Sequence, residues 1–237
     1  MSRHTIVMSP GEIPEIGGFC VIEGDEAKHA LRVKRVTEGD SLRLVDGTGT
    51  LATGTVKGAR RILEVEITDR QTIPPLQPIV EVCSATPKGP RAEKMIDQLA
   101  QVGVSLWRPM RTKLGVVDPQ GNKLSRMDRI AFEAIKQSGQ AHVMRIGEAI
   151  DFEEAIQAEP GVEVCMADLG EEVGAFCPSG SHFRLLIGPE GGFLDEERKA
   201  AKAAGVQSFS LGTSILRIET AAVAGAWSLI NTPGAGR

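Results

Sequence analysis

The stretch Leu185-Leu186-Ile187-Gly188-Pro189-Glu190-Gly191-Gly192-Phe193 decides the fold class and the place of the site. An apolar run that predicts a buried strand ends in Gly-Pro-Glu-Gly-Gly, and an acidic segment predicted to start a helix follows at Asp195. Glycines let the backbone approach a ligand closely, and proline stiffens the turn. Ligands bind at the carboxyl ends of parallel strands. The stretch therefore predicts a ligand-binding loop, with an ordinary strand-to-helix turn that has Asp195 as its N-cap as the alternative.

A second segment repeats this arrangement nearer the C-terminus. A short predicted strand over 207–211 ends at Gly212, and the loop that follows carries Arg217 and Glu219 ahead of an apolar helix predicted over 221–230. Arg217 could be an ordinary solvated side chain, but its apolar neighbours at the end of a strand strengthen the case for a role in a site. Glu219, or the threonine after it, could instead cap the final helix. This segment therefore predicts a second loop with a site at the end of a strand.

Alternating strands and helices surround these two segments. Two of the predicted helices carry apolar side chains at helical spacing, which predicts one buried face on each. Interleaved strands and helices are typical of an α/β domain with a mainly parallel sheet. The predicted strands are 79–85, 163–167, 183–187 and 207–211, and the predicted helices are 91–102, 127–135, 195–204 and 221–230, the last of them deeply buried.

The first 72 residues have a different pattern. Apolar and polar side chains alternate over 41–45 and 61–67, which is typical of half-buried strands. The turn signal Asp46-Gly47-Thr48-Gly49 and a return strand over 50–56 lie between them, and a short basic helix over 25–36 precedes them. The following run, 73–78, contains three prolines in six residues, which suits a linker. We therefore expect a small β-rich unit, a linker and an α/β domain.

Composition narrows the classes of protein. The 237 residues carry 27 Lys and Arg against 31 Asp and Glu, so the net charge of −4 gives no overall attraction to nucleic acid or anionic membranes. Residues 73–147 nevertheless carry a net charge of +5 and residues 148–237 a net charge of −8, so one face can still attract a polyanion. The chain has no tyrosine and few other aromatics, which disfavours binding of single strands by stacked aromatic side chains.

Several other classes are excluded by what the sequence lacks. No apolar run approaches the roughly 18 residues of a membrane-spanning helix, and the N-terminus has no signal-peptide pattern. Four cysteines without a CxxC pair, and scattered histidines, disfavour a zinc site or disulfides and favour a reducing compartment. P-loop, GxSxG and HExxH motifs are missing, and Gly47-Thr48-Gly49 reads as a hairpin rather than a dinucleotide-binding fingerprint. We expect a cytoplasmic protein that uses no metal and no membrane.

Two long motifs in the right order carry a resemblance to a known family. Residues 187–192 read Ile-Gly-Pro-Glu-Gly-Gly, and residues 211–221 read Leu-Gly-x-x-Ile-Leu-Arg-x-Glu-Thr-Ala. Together they resemble the SPOUT-class RNA methyltransferases, specifically the RsmE family, which makes 3-methyluridine in 16S rRNA. The resemblance extends over nearly the whole chain, with further matches at His29–Asp40 and Asp46-Gly47, at Lys88–Lys94 with Val102–Val104, and at Gln137–Gly139.

The resemblance implies both a fold and a set of partners. The fold is a PUA-like β-barrel over 1–72, a Pro-rich linker at 73–78, and a SPOUT domain over 79–237 that contains a deep trefoil knot. S-adenosylmethionine would lie between the knot loops of a homodimer, near the subunit interface, and the substrate would be 16S rRNA or the small ribosomal subunit. The cofactor-binding residues that it implies are Leu186, Ile187, Gly188, Pro189, Gly191, Gly192, Leu211, Gly212, Ile215, Leu216, Arg217 and Thr220.

The implied reaction sets the candidate catalytic residues. Uracil N3 carries a proton and is a poor nucleophile, so the site must favour proton loss and stabilise the resulting anion. Arg217 is the candidate to hold the uracil oxygens or a phosphate, because a guanidinium donates two hydrogen bonds at fixed geometry. Glu190 and Glu219 are the candidate proton acceptors, although either could instead bond backbone amides. The target base must be flipped out or unpaired, because N3 is buried in a base pair.

Nine basic residues form a candidate surface for RNA phosphates, although each alone reads as an ordinary solvated charge. The barrel and the positively charged middle of the chain would share the binding of RNA. The nine residues are Lys28, Arg32, Lys34, Arg35, Arg60 and Arg61 in the first unit, and Lys88, Arg91 and Lys94 around the start of the helix predicted over 91–102.

Four positions depart from the family pattern. Leu114, Lys136, Gln140 and Ile218 stand where relatives commonly have Arg, Glu, Arg and Thr. A charge reversal at Lys136 could compensate for the loss at Gln140. The departures keep two alternatives open: a catalytically impaired ribosome-assembly or RNA-binding module of the same fold, and a SPOUT enzyme that methylates another RNA position.

Overall fold

The computed structural model describes residues 4–117, 121–169 and 180–231. The chain divides into two compact units. The first contains the residues up to Pro75 together with Ile135–Val143, and the second contains Leu76–Ala134 and the residues from Met144 onward. Cys177 and the first three residues, on which parts of the cysteine and signal-peptide predictions rest, lie outside the described residues.

The first unit consists of one sheet and one helix. Its elements are β1 (His4–Val7), β2 (Phe19–Ile22), α1 (Gly24–Arg32), β3 (Ser41–Val45), β4 (Thr50–Ala59) and β5 (Leu63–Thr72). The strands are ordered β1-β3-β4-β5-β2, and the side chains predicted to face the core from β3 and β5 are buried. α1 ends four residues before its predicted end, and Arg35 beyond it has a left-handed φ of 55°, which a right-handed helix cannot accommodate.

Residues 135–143 join the first unit through the turn at 46–49. The backbones of the two segments exchange two hydrogen bonds of 2.9 Å. The guanidinium of Arg43 also donates to the carbonyl of Gly139 at 2.5 Å. The sequence predicted residues 79–237 as one continuous domain. These long-range hydrogen bonds group the segment that contains the Gln-Ser-Gly motif with the first unit.

The second unit is an α/β fold around a parallel sheet, which confirms the predicted class. Its elements are β6 (Ile79–Ser84), α2 (Pro90–Val102), β7 (Leu106–Arg111), α3 (Asn122–Ser138, its last turn in the first unit), β8 (Arg145–Ile146), β9 (Ile150–Asp151), α4 (Phe152–Ala155), β10 (Glu163–Ala167), β11 (His182–Ile187), α5 (Asp195–Ala203), β12 (Gln207–Phe209) and α6 (Ile218–Ile230). The order is β12-β10-β11-β6-β7-β8, with β9 also beside β7. All pairings among these described strands are parallel.

Two bounds near the C-terminus differ from the prediction. β12 ends at Phe209, because the hydroxyl of Ser210 bonds the backbone of Gly212 in a turn where that glycine has a φ of 135°. α6 begins three residues early, at Ile218, because Arg217 is already the extended N-cap residue, with φ −68° and ψ 156°. Glu219 and the threonine after it therefore lie inside the first turn of α6 and do not cap it, as one alternative had proposed.

α6 is buried on one face only, so the prediction of a deeply buried helix was partly wrong. It packs against α2, β6 and β11, and a Cβ on Gly225 would lie 2.8 Å from Cδ2 of Leu185. On the opposite face, Trp227 is 56% exposed. In the described part of the chain, no helix is long and apolar enough to cross a membrane.

Candidate active site

A cavity of about 280 Å³ lies at the carboxyl ends of β10 and β11. Three stretches form its walls: 167–169 after β10, 187–193 after β11, and parts of 211–221. The two segments singled out in the sequence thus meet at one cavity. Of the residues predicted to bind a cofactor, those that line it are Ile187, Gly188, Pro189, Gly191, Gly192, Leu211, Ile215 and Leu216.

The loop after β11 is shaped by its glycines. The amide of Gly192 donates to the carbonyl of Pro189 at 2.8 Å, and Gly192 has a φ of 72°, which L side chains rarely adopt. A Cβ on Gly188 would lie 3.0 Å from the ring of Phe193, so this glycine lets the aromatic side chain pack against the loop. The glycines therefore fix the course of the backbone around the cavity.

The start of α5 is fixed by Glu197 rather than by Asp195. The N-cap is Leu194, whose amide donates to the Glu197 carboxylate at 2.8 Å, and the alternative with Asp195 as N-cap was wrong. The same carboxylate accepts a hydrogen bond of 3.0 Å from the amide of Lys113, in the segment after β7. One buried carboxylate thus holds both segments in place.

Four residues predicted to bind the cofactor lie elsewhere. The side chain of Leu186 is fully buried in the core of the sheet, because Leu186 precedes the point where β11 opens into the loop. Gly212 lies in the exposed turn after β12. Arg217 and Thr220 line a second, larger depression of about 760 Å³, between α2 and α6.

This second depression, the α2–α6 groove, contains two of the three predicted catalytic residues. Arg217 and Glu219 line it together with Lys94, one of the predicted RNA contacts. Ile215 and Leu216 line both the cavity and the groove, so this short segment forms a wall that the two share. A group in the cavity and a group in the groove would therefore both border this one short stretch of chain.

Arg91 connects the two predicted proton acceptors. Its guanidinium lies 3.4 Å from a carboxylate oxygen of Glu190, which lines the cavity, and 3.9 Å from Oε2 of Glu219, which lines the groove. Oε2 of Glu219 is buried and makes no hydrogen bond to any described residue, whereas Glu190 is exposed. Arg91 was predicted to contact RNA; in the structure it pairs with both acids.

The other basic residues are exposed, and the set is divided between the units. Six of the nine belong to the first unit and three to the second. Lys28 pairs with Asp25 at 3.0 Å, and Lys94 faces the groove. Lys34, Arg35, Arg60, Arg61 and Lys88 are exposed, as is Arg32 at the end of α1.

The departures from the family pattern have local partners. Lys136 pairs with Glu26 of α1, within the first unit. Leu114 approaches the loop after β11, since a Cβ on Gly191 would lie 3.0 Å from its Cδ1. Ile218 is buried and lines the cavity. Each of these three side chains is therefore accommodated by packing or charge pairing.

Sequence reasoning missed two charged residues of the cavity. Asp168 and Arg198 both line it, and the Nε of Arg198 donates to Oδ2 of Asp168 at 2.6 Å. The hydrogen bonds from Arg198 to Asp168, more than the opposing effect of burial, raise the pKa of Arg198. Thirty positions separate the two, so only the position of Asp168 directly after β10 could have suggested a role.

Comparisons with known proteins agree with this architecture. Residues 75–230 match the profile of the RNA methyltransferase domain family, and residues 22–68 match that of the RNA methyltransferase PUA domain. Ribosomal RNA small subunit methyltransferase E of Mycobacterium bovis is 30% identical over 224 residues, 89% of this chain and 85% of the relative.

Two solved structures share the fold over most of both chains. Ribosomal RNA small subunit methyltransferase E from Neisseria gonorrhoeae, bound to S-adenosyl methionine, has a TM-score of 0.83 at 24% identity, covering 96% of this chain and 97% of that one. A probable rRNA-methyltransferase from Porphyromonas gingivalis has a TM-score of 0.74 at 31% identity, covering 85% and 88%.

An RNA methyltransferase domain joined to a PUA domain defines the class of protein: an RNA-modifying enzyme. Within that class, this chain belongs to the ribosomal RNA small subunit methyltransferase E family. The predicted family and enzyme class are thereby confirmed. S-adenosylmethionine, the methyl donor expected from the sequence, is bound in the Neisseria gonorrhoeae relative.

Proposed function

We propose that this chain transfers a methyl group from S-adenosylmethionine to N3 of one uridine in 16S rRNA of the small ribosomal subunit. The observation that carries the proposal is the shared wall at Ile215 and Leu216, with the cavity on one side and the groove with Arg217 and Glu219 on the other. Such an arrangement suits two ligands that enter from different sides and meet at the edge of this segment, because in-line transfer requires N3 to contact the methyl group directly. The names of the relatives support the small-subunit rRNA as the substrate. The resemblance of the two motifs to the family supports N3 of uridine as the methylated atom.

The lining of the cavity suits the chemistry of the methyl donor. The cavity's volume of about 280 Å³ is just below the roughly 300–1,000 Å³ that small-molecule sites span. Apolar side chains such as Ile187 and Leu211 suit an adenine ring, while the backbone of the 188–192 loop and the Asp168–Arg198 pair supply polar groups. When bound, S-adenosylmethionine supplies an electrophilic methyl group on a positively charged sulfur.

The groove supplies the groups that act on uracil. Glu219 is the proposed acceptor of the N3 proton, because its buried Oε2 makes no hydrogen bond to a described residue, whereas Glu190 is exposed. Arg217 donates to the uracil oxygens and so stabilises the charge that remains after proton loss. The guanidinium of Arg91 lies 3.9 Å from Oε2 of Glu219, close enough to hold the charged carboxylate in place without a hydrogen bond between them.

RNA binding is proposed for the basic residues of both units. Lys28, Arg32, Lys34, Arg35, Arg60 and Arg61 would contact phosphates from the PUA domain, which we propose forms a barrel. Lys88 and Lys94 would do so near the start of α2. These contacts position the RNA without reading its sequence. Such a substrate would be met in the cytoplasm.

Further features of the family resemblance remain proposals for this chain. We propose domains at 1–72 and 79–237, with a linker at 73–78, and a deep trefoil knot that brings the 187–193 loop and the 211–217 segment together. We also propose a homodimer with the site near the subunit interface, supported by the exposed Trp227 of α6. A reaction without a metal is likewise proposed. Among residues 4–117, 121–169 and 180–231, no three His, Cys, Asp or Glu side chains form a metal-ligand group.

The first experiment tests the cofactor site by calorimetry with S-adenosylhomocysteine. Gly191→Val adds volume to a cavity-lining position where Leu114 already lies 3.0 Å from a Cβ, so we expect affinity to fall at least about tenfold. Gly58→Val is the matched control, because it makes the same substitution on β4 of the first unit. Equal binding by wild type and Gly191→Val, or no binding by either, would refute the cavity assignment.

The second experiment tests the reaction on rRNA. Small subunits from a strain lacking this gene are incubated with protein and S-adenosylmethionine, and the digested rRNA is analysed by mass spectrometry. We expect one 3-methyluridine to appear with wild type and with the surface control Glu196→Gln. With Glu219→Gln we expect a rate at least about 100-fold lower. A modified base other than uridine, or a methylated ribose, would replace the uridine assignment, and unchanged rRNA would favour a non-catalytic assembly module.

A further inference from the structure

Asp168 is a carboxylate held in a fixed orientation at the cavity wall. It follows β10, and its amide donates to the carbonyl of Phe209 on β12 at 3.0 Å, which fixes the backbone. Its side chain is only 8% exposed and accepts two hydrogen bonds from Arg198, of 2.6 Å at Oδ2 and 3.2 Å at Oδ1. Arg198 is itself held by Asp195 at 3.2 Å. This paired geometry leaves the carboxylate little freedom to rotate.

One acceptor position of this carboxylate is unused by the described residues. An ionised carboxylate offers about four lone-pair sites. Oδ1 accepts from Arg198 and from the amide of Leu169 at 2.9 Å, which fills both of its sites, whereas Oδ2 accepts only the Nε of Arg198. Because Asp168 lines the cavity, a ligand there can supply the missing donor.

The charge of the pair indicates what kind of donor fits. The guanidinium of Arg198 neutralises the buried Asp168 carboxylate at hydrogen-bond distance, and its second partner, Asp195, is 88% exposed and therefore screened by solvent, so little net charge remains at the cavity wall to attract a cation. A neutral hydroxyl therefore suits the free position of Oδ2 better than an ammonium group. A methyl donor of the nucleoside class carries such hydroxyls on its ribose and an ammonium group on its amino-acid part.

We propose that Asp168 binds a ribose hydroxyl of the methyl donor, and that Arg198 is a positioning residue that orients the carboxylate for this contact. The proposal rests on the proposed function, because it takes the cavity to be the donor site. The ribose would therefore be recognised by the residue that follows β10. The adenine and methyl ends of the donor are left to the two glycine-bearing segments.

Calorimetry with three ligands tests the contact without measuring methyl transfer. The ligands are S-adenosylhomocysteine, 5′-methylthioadenosine, which lacks the amino-acid part, and the 2′,3′-dideoxy analogue of 5′-methylthioadenosine. We expect wild type to bind 5′-methylthioadenosine about tenfold or more tightly than the dideoxy analogue, because a hydrogen bond to a charged group is lost. Asp168→Ala should bind the two alike, and Arg198→Gln should narrow the difference. Asp195→Ala removes the exposed partner of Arg198 but leaves Asp168 in place, so the difference in affinity between the two ligands should be the same as in wild type.

The outcomes separate this inference from the proposed function. If wild type fails to bind S-adenosylhomocysteine, the donor site itself is wrong. If it binds S-adenosylhomocysteine but does not distinguish 5′-methylthioadenosine from the dideoxy analogue, only the assignment of Asp168 is overturned. Weaker binding of S-adenosylhomocysteine by Asp168→Ala, with unchanged binding of 5′-methylthioadenosine, would move the contact to the amino-acid part and also overturn it. Should Asp168→Ala not fold, wild type and Arg198→Gln still decide the question.

Discussion

Arg184 of β11 and Glu81 of β6 form an ion pair inside the parallel sheet, and its removal gives a sharp prediction. The two residues are direct neighbours across the strands, their side chains are 5% and 6% exposed, and the Nε of Arg184 lies 2.9 Å from Oε2 of Glu81. Arg184 also donates to the carbonyl of Gln157 and to the carboxylate of Glu159. Arg184→Met removes all of these hydrogen bonds while keeping an apolar side chain of similar length.

The expected cost comes mainly from the carboxylate left behind. After Arg184→Met, Glu81 keeps only the weak Cys83 thiol as a described side-chain partner, at 3.6 Å. Leaving a buried charge without its partner costs about 3–5 kcal/mol. Replacing both members by apolar side chains is often neutral, so Arg184→Met with Glu81→Leu should recover at least about 2 kcal/mol. Glu81→Leu alone should cost less than Arg184→Met, because Arg184 would keep its hydrogen bond to Glu159.

Urea unfolding followed by tryptophan fluorescence measures this cost. Both tryptophans, Trp107 and Trp227, belong to the second unit, so the signal reports on the unit that contains the ion pair. Trp107 is fully buried, and its indole donates to the hydroxyl of Ser84 on β6 at 2.9 Å. If the double variant is no more stable than Arg184→Met, the unpaired charge is not the source of the cost.

Two predictions concern the first unit, with unfolding followed by circular dichroism. Burial raises the pKa of Asp46, but hydrogen bonds from Thr50 and Thr48 outweigh it and the pKa is lowered from 3.8. The carboxylate therefore stabilises the unit above about pH 4, and the advantage of wild type over Asp46→Asn should shrink as the pH falls below that value; a constant difference would contradict this. Gly54→Ala should cost about 1–3 kcal/mol, because its Cβ would lie 2.3 Å from Val65. Unchanged stability of Gly54→Ala would show that the strands can move apart at no cost.

The two segments that form the cavity could be found from the sequence, but which of their residues face the cavity and which face the groove could not. Glycine-rich strand ends are local features, so the 187–193 and 211–217 segments could be found from the sequence alone. The start of α6 could not, because it depends on the backbone of Arg217. With the helix beginning at Ile218, side chains three and four positions apart share a face. Ile218 and Ala221 therefore turn to the cavity. The side chains that turn to the groove include Glu219, Thr220, Val223 and Ala224.

Long-range pairing explains what the sequence could not predict about the fold. The placement of residues 135–143 with the first unit depends on backbone hydrogen bonds to the turn at 46–49, about 90 residues earlier in the chain. Neither segment carries a local signal for the other. The pairing of Asp168 with Arg198 is of the same kind, since each alone reads as an ordinary surface charge. Alternation and helical spacing, by contrast, are local and placed most strands and helices correctly.

The first turn of α6 gives a geometric basis for the proposed binding of two ligands by one short motif. An α-helix turns by about 100° per residue, so consecutive residues necessarily face different surroundings. The run Arg217-Ile218-Glu219-Thr220-Ala221 places apolar side chains against the cavity and polar side chains in the groove. In the proposed function, the apolar side chains of this run would face the methyl donor in the cavity. The charged side can then hold a polar base, and Arg91 ties the two sides together through Glu190 and Glu219.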